Sequence, residues 1–182
     1  EQLAKMIETS DAEKIRLKAD ELYFYTPNND LFFNLYHQSA LLSSAYADAQ
    51  LAVFYNQGWG TSKNIDLAKS YRDKSVDKLL KAPSSDLHSQ YLLGLIAYYI
   101  DKDVSSAFSF YQVASEQGYS IAQVKLGELY QQGTVITQSD IEAAKWYRKA
   151  AEQDYAEGQF LMGVMYLEGK GVNQSYTEAL NW

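Results

Sequence analysis

Small and aromatic residues recur along this chain at helical spacing, and the same arrangement returns several times. Tyr36, Tyr71, Phe110, Trp146 and Trp182 stand 35, 39, 36 and 36 residues apart. Three residues before them come Phe33, Ala68, Ala107, Ala143 and Ala179, and four residues after the first four come Ala40, Ser75, Ala114 and Ala150. Offsets of three and four share one face of a helix, so each unit is predicted to carry a helix, B, whose packing face reads small, aromatic, small. Upstream of four B helices a large apolar residue is followed at once by a small one, in Leu51-Ala52, Leu93-Gly94, Leu126-Gly127 and Met162-Gly163. Tyr55, Tyr130 and Tyr166 follow three of these pairs at helical spacing, which predicts a second helix, A. Glycine inside a helix costs about 1 kcal/mol relative to alanine, so its recurrence implies close approach of a partner helix. A fixed period of this length marks a solenoid, in which each unit buries its apolar face against its neighbours. The five aromatics are therefore expected to be the buried position between helices.

Gly58, Gly133 and Gly169 follow the A-helix tyrosines and read as helix ends and tight turns. A phosphate-binding glycine loop would need a strand before it, and the pattern offers none. The third unit puts Asp101-Lys102-Asp103 where its siblings have the glycine loop, and Lys81 to Asp86, with Pro83, lengthens the connection before it.

The stretch from Ala122 through Leu126-Gly127-Glu128-Leu129-Tyr130 to Ala143-Ala144-Lys145-Trp146-Tyr147-Arg148-Lys149-Ala150-Ala151 resembles the Sel1-like repeat, and Gly163-Val164-Met165-Tyr166-Leu167-Glu168-Gly169-Lys170-Gly171 repeats its glycine-doublet loop. A tetratricopeptide unit, at about 34 residues, is shorter. The resemblance implies an all-α, right-handed α-solenoid of helix-turn-helix, tetratricopeptide-related repeats. A single domain is expected over residues 1–182, with a capping helix over 1–18 (Leu3, Ile7, Ile15 and Leu17 its apolar positions) and about five repeats from 19 to 182. The first repeat is divergent around Ala19 to Tyr23. The last stops at the start of its B helix, which predicts a native chain continuing past Trp182.

Composition bounds the chemistry. Hydrophobic residues make up 47% of the chain with only two prolines, enough for a stacked helical core. No apolar run is long enough to insert into a membrane. The net charge of −7 argues against nucleic acid, whose phosphates call for a basic patch. There is no cysteine, hence no disulfide and no thiolate ligand or nucleophile. A start at Glu1 fits signal-peptide removal or a shortened chain; the compartment stays open, with a lean to a bacterial periplasmic or secreted protein. His37 and His88 sit in different units without metal-ligand spacing, so no metal or cofactor is expected. Ser75-Val76-Asp77-Lys78 has the Ser-x-x-Lys spacing of penicillin-recognising enzymes, but Ser75 occupies the small packing position, and no catalytic residues are assigned. Asn173-Gln174-Ser175 is a glycosylation sequon, relevant only on a eukaryotic secretory route.

Sixteen tyrosines direct attention to the groove that the A helices of such a solenoid line. Counting from the large-small pair, its positions are Ala49, Val53, Asn56 and Gln57, then Tyr91, Leu95, Tyr98 and Tyr99, then Val124, Glu128, Gln131 and Gln132, and then Phe160, Val164, Leu167 and Glu168, with Tyr25 from the first unit. Tyrosine and tryptophan are enriched at interaction hot spots, so Tyr91, Tyr98 and Tyr99 are expected to dock a polypeptide, joined by Trp59 between its two glycines. The function that follows is a non-enzymatic scaffold binding a protein or peptide, of open oligomeric state. The alternatives are a structural or oligomerising module and a cell-wall-related hydrolase, which would need perturbed carboxylates in a buried pocket.

Overall fold

A computed structural model describes residues 11, 14–17 and 30–182 of the chain, the side chains of 30–32 excepted. Tyr25, the first unit's A helix and most of the expected capping segment lie outside these residues. The described residues form helices and turns without a strand, as the repeat pattern requires. They divide into two compact units: residues 1–83 with 95–102, and residues 84–94 with 103–182.

The first unit contains α1 (Asp30–Leu41), α2 (Ala45–Gln57) and α3 (Ile65–Leu80), together with a π-helical turn at Ala97–Asp101. Helix α2 packs between α1 and α3, and its buried residues (Ala47, Asp48, Ala49, Gln50, Leu51, Ala52, Val53, Phe54 and Asn56) cover nearly the whole of its circumference. Tyr36 enters this core edge-on to Phe54 at 5.3 Å, and Tyr55 stacks on Tyr71 at 5.6 Å.

The division between the units falls inside α4 (Leu87–Ile96). The second unit continues with α5 (Val104–Glu116), α6 (Ser120–Gln132), α7 (Asp140–Ala151), α8 (Ala156–Glu168) and α9 (Tyr176–Asn181). Its core gathers Val124, Ala143, Ala144, Tyr147, Ala150, Ala151, Met162 and Met165.

Local chemistry fixes where the helices stop and start. Ser139 and Ser175 cap the B helices α7 and α9 by accepting from the backbone N–H of Glu142 and Glu178, each at 3.2 Å, and each serine stands three residues before that glutamate as in a capping box. Within three of the hairpins one backbone bond recurs: the N–H of Asn64, Ser139 and Ser175 donates to the carbonyl of Tyr55, Tyr130 and Tyr166, at 2.8, 2.9 and 3.0 Å. The A-helix tyrosine thus marks where the returning chain is tied. Gly133 and Gly169 end α6 and α8 at φ +67° and +69°, the left-handed backbone that glycine takes without strain.

The packing glycines have the expected cause, but the ring over them is one residue further on than the aromatic period suggested. A Cβ on Gly94 would fall on the ring of Tyr111, and one on Gly127 would lie 2.5 Å from Tyr147 Cε1. Of the five periodic aromatics only Tyr36 is buried, while Tyr71, Phe110, Trp146 and Trp182 are half-buried. The buried rings are Tyr36, Tyr111 and Tyr147; the same beat, spaced 36, 39 and 36, falls in the second repeat on Arg72, whose side chain is a third exposed, and three residues after each stand Ser39, Ser75, Ala114 and Ala150, fully enclosed. One residue is a rotation of about 100° on a helix, enough to move a side chain from the interface to its rim. Where the beat carries Arg72 instead of a ring, the A-helix partner position holds Ala52 instead of glycine.

Candidate functional site

The first unit brings together three of the residues expected to bind a partner. Gly58 turns the chain at the end of α2, and the N–H of Trp59 bonds back to the Phe54 carbonyl at 3.1 Å, which holds the indole outside the core at 39% exposure. Tyr98 and Tyr99 come from the π-helical turn, whose wider coil ends at Lys102 with φ +59° and the Lys102 N–H on the Ala97 carbonyl. Single π turns inside α-helices are frequently found at functional sites. Arg72 of α3 fastens the turn, its Nε and Nη2 each donating to Asp101 at 3.1 Å. Trp59 meets Tyr99 edge-on at 5.5 Å, and Tyr99 meets Tyr98 edge-on at 4.9 Å. The result is a ladder of three aromatic rings, each half-buried or exposed.

Other expected contacts of this unit point inward. Asn56 is 8% exposed, and its Oδ1 accepts from Gln57 Nε2 at 2.8 Å, so only Gln57 of this pair has appreciable surface. Ala49 and Val53, placed in the groove by the sequence frame, are fully enclosed. Asp48 lies buried beside them. Burial pushes its carboxyl above the usual carboxylate range, against the pull of Lys78 and Lys74.

In the second unit Tyr91 is 9% exposed among the rings of Tyr119, Tyr111 and His88, at 5.8, 6.2 and 6.2 Å, and is therefore a packing residue, not a contact for a partner. His88 itself shares a 2.7 Å hydrogen bond with the Tyr119 hydroxyl. Glu128 is half-buried and paired with Lys125 at 3.0 Å; burial raises its pKa and the lysine opposes this. Gln131 is committed internally, accepting from the Tyr147 hydroxyl at 2.7 Å while its Nε2 points at the Met165 sulfur at 3.4 Å. Gln132 is exposed. Phe160, at 68% exposure, stands in an apolar groove between α8 and α9 together with Val164 and Leu167. Tyr176 and Leu180 of the same groove escaped the sequence reading, although their spacing of four on a short helix was visible in it.

Ser75 is fully enclosed and donates to the Arg72 carbonyl at 3.0 Å, which leaves its hydroxyl a packing role. Among the described residues no group of His, Asp and Glu side chains could hold a metal ion, and no helix is long and apolar enough to cross a membrane.

With this geometry in place, comparison with known proteins is informative. A family model described as "Sel1 repeat" matches residues 45–74, 87–119, 120–155 and 156–182. A solved Sel1 repeat protein from Oxalobacter formigenes is similar at 21% identity and a TM-score of 0.56, covering 96% of this chain and 69% of its own. A protective antigen present in uropathogenic Escherichia coli strains, displaying an SLR fold, is similar at 23% identity and a TM-score of 0.51. That match covers 92% of this chain, which spans about a third (36%) of the antigen's length. At these identities the likeness is one of fold. No curated protein matches the sequence.

Proposed function

This chain belongs to the Sel1 repeat family, and from that premise we propose that it is a non-catalytic docking scaffold receiving a partner polypeptide on the surface built by Trp59, Tyr98 and Tyr99. Sel1 repeats are generally protein-interaction modules, and the family fold is generally non-catalytic. The observation that carries the finer reading is the three-ring ladder, held by a glycine turn on one side and a fastened π turn on the other. Rigid amphipathic rings give binding area at low entropic cost, and a partner's apolar side chain or backbone can lie against them while the tyrosine hydroxyls and indole N–H supply hydrogen bonds. Such a surface acting alone binds at micromolar strength, about −8 kcal/mol.

The burial of Tyr91 and Asn56 narrows the proposed contact set to Trp59, Tyr98, Tyr99 and Gln57 in the first unit. Replacing Tyr98 and Tyr99 together by alanine is expected to abolish retention of the partner in affinity capture while circular dichroism shows the same helix content. Undiminished retention by a folded double variant would rule this surface out.

A further inference from the structure

Successive rings of the first unit's ladder, Trp59, Tyr99 and Tyr98, stand nearly at right angles, at 72° and 76°. An edge-on pair makes a corner, with one ring's face as its floor and the other's edge as its wall. The centroid spacings of 5.5 and 4.9 Å give the ladder a reach of at most about 10 Å, which is one three-residue turn of a polyproline II helix.

The segments that carry the rings have spent acceptors and unspent donors. The Phe54 carbonyl receives the N–H of Gly58 at 2.7 Å and of Trp59 at 3.1 Å, the Tyr55 carbonyl that of Asn64, and the Ala97 carbonyl that of Lys102. Both oxygens of Asp101 are held by Arg72. Among the described residues, by contrast, the Trp59 indole N–H has no acceptor, and Lys63 and Lys102 form no ion pair. Both lysines are exposed. The Lys63 Cβ lies 3.5 Å from where a Cβ on Gly58 would stand, one residue from Trp59, and Lys102 closes the π turn that carries Tyr98 and Tyr99.

A surface of rings and unspent donors selects the backbone of its partner. A helix keeps its carbonyls for its own N–H groups and has few to give. An extended strand is bound by lengthening a sheet, and the described residues hold no strand. A polyproline II segment has no internal hydrogen bonds, its prolines bring no N–H, and it is already extended before it docks. Its three-residue period puts the two prolines of Pro-x-x-Pro on one face, about as far apart as the outer rings.

We propose, on the premise that the ladder docks a polypeptide, that its ligand is a proline-rich segment of a partner protein, a Pro-x-x-Pro turn with an acidic residue on either flank. The prolines sit in the corners of the ladder, the indole N–H donates to a carbonyl between them, and Lys63 and Lys102 meet the flanking carboxylates. The chain's net charge of −7 opposes an acidic segment only at long range, because screening over about 8 Å at physiological ionic strength leaves the nearest charges to decide.

The probe is a fluorescein-labelled synthetic peptide carrying Pro-x-x-Pro between aspartates, titrated against the whole 182-residue chain by fluorescence anisotropy. Binding is expected with a Kd of roughly 10 to 100 μM. A companion peptide with alanine at each proline loses the preformed extension and should bind about tenfold more weakly. Trp59→Ala, at an exposed site, should weaken the proline peptide about tenfold, with circular dichroism confirming the fold. Lys63→Glu combined with Lys102→Glu should weaken it severalfold, as should raising salt from about 50 to 500 mM. No binding of the proline peptide at millimolar concentration, or equal binding of the alanine companion, overturns the proline assignment. It leaves the docking reading standing if Tyr98→Ala/Tyr99→Ala still loses the captured partner. Undiminished binding of the proline peptide to that double variant overturns both, because the peptide would then lie elsewhere.

Discussion

Gly127 has no room for a side chain because Tyr147 occupies the space a Cβ would need. Gly127→Ala is therefore expected to destabilise the chain by about 1–3 kcal/mol in urea unfolding, despite alanine's better helix propensity. In a Tyr147→Ala background the sign should reverse, with the same substitution gaining up to about 1 kcal/mol, so a double-mutant cycle isolates the clash. Asp48 makes a second prediction at this scale. Its folded pKa is raised, first by burial, with Lys78 and Lys74 acting against the shift. A carboxyl raised in this way favours the folded state while protonated, below its unfolded value of about 3.9, and loses that contribution as pH rises through the folded value. Asp48→Asn should accordingly be more stable than wild type at pH 7, and thermal melts should show the difference shrinking as pH falls toward 4. An equal difference at both pH values would mean that the carboxyl is solvated.

Helix α4 and the π turn after it show how one element sets the exposure of two adjacent tyrosines. The Arg72–Asp101 pair is bidentate, but both side chains are about a third exposed, so Asp101→Asn should lower stability by no more than about 1 kcal/mol. Its larger effect is expected in near-ultraviolet circular dichroism, where loosening the turn weakens the fixed signal of Trp59 against Tyr99. An unchanged spectrum would mean the turn holds without the pair. The caps act more strongly than this surface ion pair: Ser139→Ala removes the acceptor for the Glu142 N–H and should cost about 1 kcal/mol. The shift between the periodic aromatics and the buried ones also belongs to this scale. Trp146 lies under the Lys149 ammonium at 3.8 Å, and Tyr147 fills the interface, although either ring is apolar enough to be inside.

Stability in a stacked-repeat molecule is close to a sum over units and their nearest neighbours, so protection should follow packing along the chain. Helix α6 buries Ala122, Val124, Leu126, Gly127 and Leu129, whereas α9 buries none of its residues. Hydrogen exchange is expected to be slowest in α6 and α7 and fastest in α9, and comparable rates would show that α9 is covered in solution. Much of this was legible beforehand. The helical hairpins, the glycine turns after Tyr55, Tyr130 and Tyr166, the close helix approach at Leu93-Gly94 and Leu126-Gly127 and the family resemblance rest on local spacing, which a helix of fixed pitch converts directly into a face. The site was legible only in part. Trp59, Tyr98 and Tyr99 were named from composition and frame, but their meeting depends on a π turn that shifts the register of α4's end. Tyr91 and Asn56 looked equivalent to them and are buried, Tyr91 against the rings of Tyr111 and Tyr119 from later in the chain. The sequence by itself determined which segments are helices and where they turn back, because those are properties of residues a few positions apart. Only the tertiary structure decided which of two adjacent rings is inside, because a single residue's rotation chooses between core and surface and the partner helix makes that choice.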